Sequence, residues 1–231
     1  MSDDRLLILW DIDGTLMQRA SEAHAKALVR ALREVHGDHL RPEDVTGVTA
    51  AGRTDGAIAR DLLLGCGVDG DAIDREVEAV ARACAAAYEE LCPADLSAHV
   101  APGIAELLPE VAADGRFRSS LVTGNFEPVA RLKLERAGIG SFFEPGQGGF
   151  GTDAEAREEL PPIARARAGD WPRERTVVIG DTPNDIACAR ADGLRVIAVT
   201  TGPFGAGDLA EADHVASGAP DLRPLLAALA A

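Results

Sequence analysis

Near its start the chain carries an unbroken apolar run, Leu6-Leu7-Ile8-Leu9-Trp10 after Arg5, punctuated by Asp11 and Gly14. A short continuous run predicts a strand buried on both faces, since a strand with one wet face would alternate. Similar runs recur at 120–122, 176–179 and 195–199, and each ends in polar or glycine-containing residues. Helical patterns lie between them. Strands alternating with helices predict an α/β fold with a mostly parallel sheet and helices on both faces. Ligands of such folds sit beyond the carboxyl ends of the strands.

The stretch from 21 to 91 differs, with helical periodicity and no convincing strand. Ser21 is placed to cap a helix whose apolar face is Ala27, Leu28, Ala31, Leu32 and Val35, and which Gly37 stops. Residues 71–91 repeat apolar groups at Ile73, Val77, Val80, Cys84, Tyr88 and Leu91, three or four apart. Between these helices lie Gly52-Arg53-Thr54-Asp55-Gly56 and a short helix to Leu64. Residues 18–97 therefore read as a helical insert in a sheet domain formed by 1–17 and 98–231. Leu225-Leu226-Ala227-Ala228-Leu229 reads as the last core helix.

A chain of 231 residues suffices for one sizeable domain with a small insert. Its net charge of −15 opposes binding to nucleic acid but not to a small anion held by local groups. No window is long and apolar enough for a membrane span, and the first residues lack the pattern of a secretory signal. Cys66, Cys84, Cys92 and Cys188 have no CxxC spacing and read as small buried hydrophobes in a reducing compartment. A cytoplasmic protein is expected, monomeric or homodimeric. The five histidines are scattered and make no metal-ligand spacing.

The candidate chemistry sits where the apolar runs end. Asp11-Ile12-Asp13-Gly14-Thr15 puts two carboxylates close together, which repel unless a cation or shared proton intervenes. The same residues also suit a strand-end turn with solvated acids. Gly180-Asp181-Thr182-Pro183-Asn184-Asp185 ends a later run with two more acids, and Asp181 is placed to join the first pair. Hard oxygen donors without His or Cys suit Mg²⁺. Thr123-Gly124-Asn125 ends a third run with a hydroxyl and an exposed N–H able to hold a phosphoryl oxygen, although Thr123 also reads as the cap of a helix at 127–137.

Together, Asp11–Thr15, Thr123–Asn125 and Gly180–Asp185 resemble, in order and context, the haloacid dehalogenase superfamily, and its phosphoglycolate-phosphatase-like group with a helical cap. The resemblance implies a Rossmann-like core with an inserted cap, and a Mg²⁺-dependent phosphatase acting on a small phosphorylated metabolite. It implies Asp11 as the nucleophile that becomes an aspartyl-phosphate and Asp13 as the general acid and base. Asp11, the Asp13 carbonyl and Asp181 would hold the metal, and Asp185 would position it or its waters. Thr123, Gly124 and Asn125 would bind the phosphoryl group.

The cation that such a site requires has two candidates. Lys133, ten residues after Thr123, is one of only two lysines against twenty-one arginines, a retention that suggests demand for a compact ammonium. Arg157 lies 24 residues before Asp181, a spacing that resembles relatives with helical caps, though the usual Lys-Pro pair is absent. Both are expected near the phosphate, with Lys133 favoured as the direct contact and Arg157 able to bridge acids. Between Asp13 and Thr123 lie 109 residues, but only 33 between Thr123 and Arg157, so a cap fits only in the first interval. Its Arg53, Thr54 and Asp55 are the candidate substrate contacts. Asp13 argues against dehalogenation. A phosphomutase of the phosphoglucomutase-like branch, or a non-catalytic phospho-accepting or binding module, is the alternative.

Overall fold

A computed structural model describes residues 4–37 and 50–230; part of the expected insert, 38–49, lies outside the described residues. The core is a six-stranded, all-parallel sheet in the order β3-β2-β1-β4-β5-β6. Its strands are β1 (Leu6–Trp10), β2 (Phe117–Thr123), β3 (Gly149–Phe150), β4 (Thr176–Gly180), β5 (Arg195–Val199) and β6 (His214–Ala216). The first apolar run becomes β1, at the centre between β2 and β4 and buried at every position.

Strand alternation divides the core in two. Leu6, Ile8 and Trp10 face α4 (Ile104–Ala113), α5 (Glu127–Arg136) and α8 (Ala219–Leu229), through Leu107, Val129 and Leu222 among others. Leu7 and Leu9 face α6 (Leu160–Arg167) and α7 (Pro183–Ala191), through Leu160, Ala164, Ile186 and Ala189. The sheet is therefore covered on both faces, as continuous apolar strands demand.

Before β2 come α1 (Ser21–His36), α2 (Asp55–Gly65) and α3 (Gly70–Leu91), with no strand among the described residues of that stretch. Their buried faces keep the predicted spacing, Ala27, Leu28, Ala31 and Leu32 on α1 and Ile73, Val80, Cys84 and Tyr88 on α3. Val77 and Leu91 depart from expectation and stay exposed at 43% and 40%, on the flanks of the stripe that packs. Ser21 is the first helical residue rather than the cap, a place taken by Ala20 without a side-chain hydrogen bond. The chain leaves and rejoins the sheet side by side. Gln18 N–H donates to His99 C=O at 2.7 Å, Ala101 N–H donates to Leu16 C=O at 2.9 Å, and Met17 bridges Val100 antiparallel.

Candidate active site

The carboxyl ends of β1, β2 and β4 converge on one cavity of about 650 Å³, bounded on the other side by α1, the start of α2 and residues 50–53. Asp11 extends β1 by one residue, its N–H on Ile179 C=O at 2.9 Å, and then the chain turns. That turn separates the two first-motif carboxylates, which strict alternation would have put side by side. Asp11 looks toward β4 and Asp13 toward α5.

Asp11, Asp181 and Asp185 each bring a carboxylate oxygen within 4.8 Å of the others, all buried. Burial first, and then the charges of Asp185 and Asp181, push the Asp11 carboxyl well above its usual range, with Arg157 opposing them. Burial and Asp185 push Asp181 up to about 7, against the Thr15 hydroxyl, which donates to it at 3.3 Å. Asp185 closes a capping box with Thr182 at the start of α7, accepting the Thr182 N–H at 3.0 Å. A crowded, buried, all-oxygen donor set is what a small hard dication neutralises, so these three residues can hold such an ion.

The two candidate cations occupy different ends of the site. Arg157, in a short turn before α6, places one terminal nitrogen 2.8 Å from Asp11 Oδ1 and 2.5 Å from Asp185 Oδ1. Its buried Nε has no hydrogen-bond partner among the described residues. Lys133 is fully buried on α5 and donates to both oxygens of Asp13, at 2.9 and 2.7 Å, and to Asn125 Oδ1 at 2.8 Å. Asn125 returns its amide to Asp13 at 2.9 Å. Burial pushes the Asp13 carboxyl up, but Lys133 and then His24 outweigh it and hold it below the usual carboxylate range. Lys133 therefore belongs to Asp13, and Arg157 to Asp11 and Asp185.

Thr123 is fully buried at the end of β2 and does not cap α5, whose cap position is Phe126. Its hydroxyl accepts the Asn125 N–H at 3.4 Å. Of the three phosphate-binding candidates of this segment, Asn125 lines the cavity. Gly124 lies directly under the 50–55 segment, where a Cβ would come 2.1 Å from Arg53 C=O, so any larger residue would lift that segment off.

The Gly52–Gly56 segment does reach the sheet edge. Gly52 has φ +69° and would press a Cβ to 2.2 Å from Thr182 Oγ1. Thr54 caps α2, accepting the Ala57 N–H at 3.1 Å and donating to Glu155 C=O at 2.5 Å. Asp55 is buried and fastens helix to sheet. Its N–H donates to Gly124 C=O at 2.8 Å, and its Oδ2 accepts the Phe126 N–H at 2.7 Å. His24 Nε2 lies 3.0 Å from the same oxygen. Arg53 lines the cavity, while its guanidinium pairs with Asp61 at 2.7 Å and donates to Ala57 C=O at 3.2 Å. His24 escaped the sequence reading, although it precedes Ala27, Leu28 and Ala31 at helical spacing and so lies on the buried face.

Known proteins resemble this chain in sequence and in fold. A phosphoglycolate phosphatase from Cereibacter sphaeroides is 30% identical over 195 residues, covering 84% of this chain and 85% of that protein. Among solved structures, a hydrolase from Pseudomonas syringae superposes with a TM-score of 0.66 at 20% identity, covering 98% of this chain and 100% of that one. A beta-phosphoglucomutase from Clostridium difficile superposes with a TM-score of 0.65 at 16% identity, covering 100% and 97%. The model of the family described as haloacid dehalogenase-like hydrolase matches residues 8–190, and the chain belongs to that family as a hydrolase of the phosphatase type.

Proposed function

We propose that this chain is a Mg²⁺-dependent phosphatase that hydrolyses a small phosphorylated metabolite through an aspartyl-phosphate on Asp11. The observation that carries the reading is the meeting of Asp11, Asp181 and Asp185 within 4.8 Å at the floor of the cavity, with Arg157 on Asp11. In this reading the sheet ends, built from 1–17 and 98–231, supply the chemistry, and 18–97 forms the cap that shields it. Asp11, Asp181, Asp185 and the Asp13 carbonyl would hold Mg²⁺, which screens the approach of an anionic phosphate to a carboxylate.

Asp11 attacks phosphorus, forming a carboxylate O–P bond as the ester P–O bond breaks, and Asp13 gives its proton to the departing alkoxide. Asp13 then takes a proton from water, whose oxygen attacks the same phosphorus and releases inorganic phosphate with Asp11 restored. Lys133 holds Asp13 ionised in the free protein, the form that activates water. The charge of an arriving phosphate favours its protonation for the first step. Arg157 lines the cavity beside Asp11, and its Nε–H has no partner among the described residues, so its guanidinium can turn to a phosphoryl oxygen.

The Cereibacter relative makes 2-phosphoglycolate the first substrate to try. Release of inorganic phosphate from it, or from p-nitrophenyl phosphate, should need Mg²⁺, stop on chelation and resume on readdition. Asp11→Asn should lower turnover by at least about 1,000-fold in a protein with unchanged circular dichroism. Retention of more than about a tenth of the rate, a barrier change under about 1.4 kcal/mol, would remove Asp11 from the nucleophile's role. Turnover without any bisphosphate activator separates hydrolysis from mutase chemistry.

A further inference from the structure

The side of the cavity nearest the helices carries a cation without a counterpart. Among the described residues, four basic ones line the cavity: Arg19, His24, Arg53 and Arg157. Arg157 is held by Asp11 and Asp185, Arg53 by Asp61 and the Ala57 carbonyl, and His24 lies against Asp55. Arg19 has no hydrogen-bond or ion-pair partner among the described residues. Four acids, Asp11, Asp13, Asp55 and Asp181, line the same walls. The other bases are already occupied by acids or a carbonyl, and for an anion entering this space Arg19 is the described fork still free to bind it.

The backbone at Arg19 points the same way. Its φ is +56°, in the left-handed region that a long side chain seldom adopts. The preceding residue is fixed on three sides: Gln18 donates its N–H to His99 C=O at 2.7 Å, its carbonyl lies 3.0 Å from His99 Nδ1, and its amide donates to Thr201 C=O at 2.8 Å. Two residues later α1 begins. Arg19 is thus held in an unfavourable conformation at the corner where the chain passes from sheet edge to helix, on the rim of the cavity. Strain retained at such a position marks a site where the side chain's placement matters.

We propose that Arg19 is a substrate-reading residue that binds an anionic group, a carboxylate or a second phosphate, on the leaving-group side of the ester. The inference rests on the phosphatase reading and adds the substrate's second charge to it. Two matched pairs test it: 3-phosphoglycerate against glycerol 3-phosphate, and propanediol bisphosphate against 3-hydroxypropyl phosphate. Wild-type protein should prefer the anionic member of at least one pair, and which pair tells a carboxylate from a phosphate. Arg19→Ala should lower kcat/KM for that member by about 10- to 100-fold, through KM. It should leave the neutral member and p-nitrophenyl phosphate within about twofold, and Arg19→Lys should recover part of the loss.

A second readout needs no turnover. 2-Carboxyethylphosphonate and propane-1,3-bisphosphonate should each be compared with propylphosphonate for protection against thermal unfolding. At least one should protect wild-type protein better than propylphosphonate, and Arg19→Ala should erase the difference. No preference within either pair and no differential protection, or equal losses on charged and neutral esters in the variant, would overturn the assignment. A wild type that hydrolyses no ester at all would overturn the phosphatase reading instead, while differential protection by the phosphonates would still decide the role of Arg19.

Discussion

Crowding the buried carboxylates should leave a measurable trace in stability, and Asp181 is the residue through which to read it. Its carboxyl is 1% exposed and is raised from 3.8 to about 7, by burial first and by Asp185 second. A raised folded-state value favours the protonated form in the native protein. The associated stability is fully present below pH ~4, where the unfolded chain is also protonated, and is lost as pH rises to ~7. A shift of about three units corresponds to roughly 4 kcal/mol, of which about 2.6 kcal/mol falls between pH 5 and 8. Asp181→Asn removes that dependence, and it also relieves the Asp11 carboxyl, which Asp181 helps to raise, so both effects share one sign. In EDTA, the variant's Tm relative to wild type should therefore climb by about 5–10 °C from pH 5 to pH 8, at roughly 2–4 °C per kcal/mol for a chain of this size. Added Mg²⁺ should raise the wild-type Tm more at pH 8 than at pH 5, and should do little for the variant. A Tm difference that stays constant across this range, or a Mg²⁺ response that survives in Asp181→Asn, would refute the account of the cluster as mutually destabilised metal ligands.

Three further outcomes follow from the same geometry. Lys133→Ala strands the Asp13 carboxylate, so it should cost about 3–5 kcal/mol in denaturant unfolding and move the acidic limb of kcat/KM to higher pH; a profile that does not move would mean that Lys133 does not tune Asp13. Arg157→Ala leaves Asp11 and Asp185 without their shared guanidinium, and its phosphatase rate should fall at least about 100-fold, with a smaller loss in Arg157→Lys; full activity in the alanine variant would exclude contact with the phosphoryl group. Asp55→Ala orphans the Phe126 N–H and should destabilise by about 1–3 kcal/mol, and hydrogen exchange should quicken at Phe126 and in α2 together; unchanged exchange would show that the contact does not fasten the helices to the sheet.

Much of this arrangement can be read from residue order because the governing signals are local. A strand covered on both faces is a solid apolar run, and four such runs became β1, β2, β4 and β5. The edge strands β3 and β6 have two and three residues, too short to show a period, and both residues of β3 lie in a glycine-rich stretch. Asp11, Asp13, Asp181 and Asp185 are legible because acids ending buried strands are conspicuous. Which cation serves which acid is not, since Lys133 lies 120 residues from Asp13 and Arg157 lies 146 from Asp11, and only packing brings them together. The Asp55 contacts with His24 and Phe126 join residues 31 and 71 apart and leave no periodic trace. Arg19 is harder still, because its left-handed backbone is imposed by neighbours pinned from elsewhere.

The hydrogen-bonded segments at 16–18 and 99–101 have a consequence for how such a chain can change. The 80 residues between Gln18 and His99 begin and end at hydrogen-bonded neighbours, so to the sheet they are a loop whose length matters only logarithmically. Exchanging them for eight would alter the closure entropy by only about 2 kcal/mol. Insertions, deletions and wholesale replacements can therefore accumulate there while the strands that carry Asp11 and Asp181 keep their register. On the proposed function, the residues that would break the phosphate bond and those that would choose which molecule brings it lie on stretches of polypeptide free to diverge at different rates.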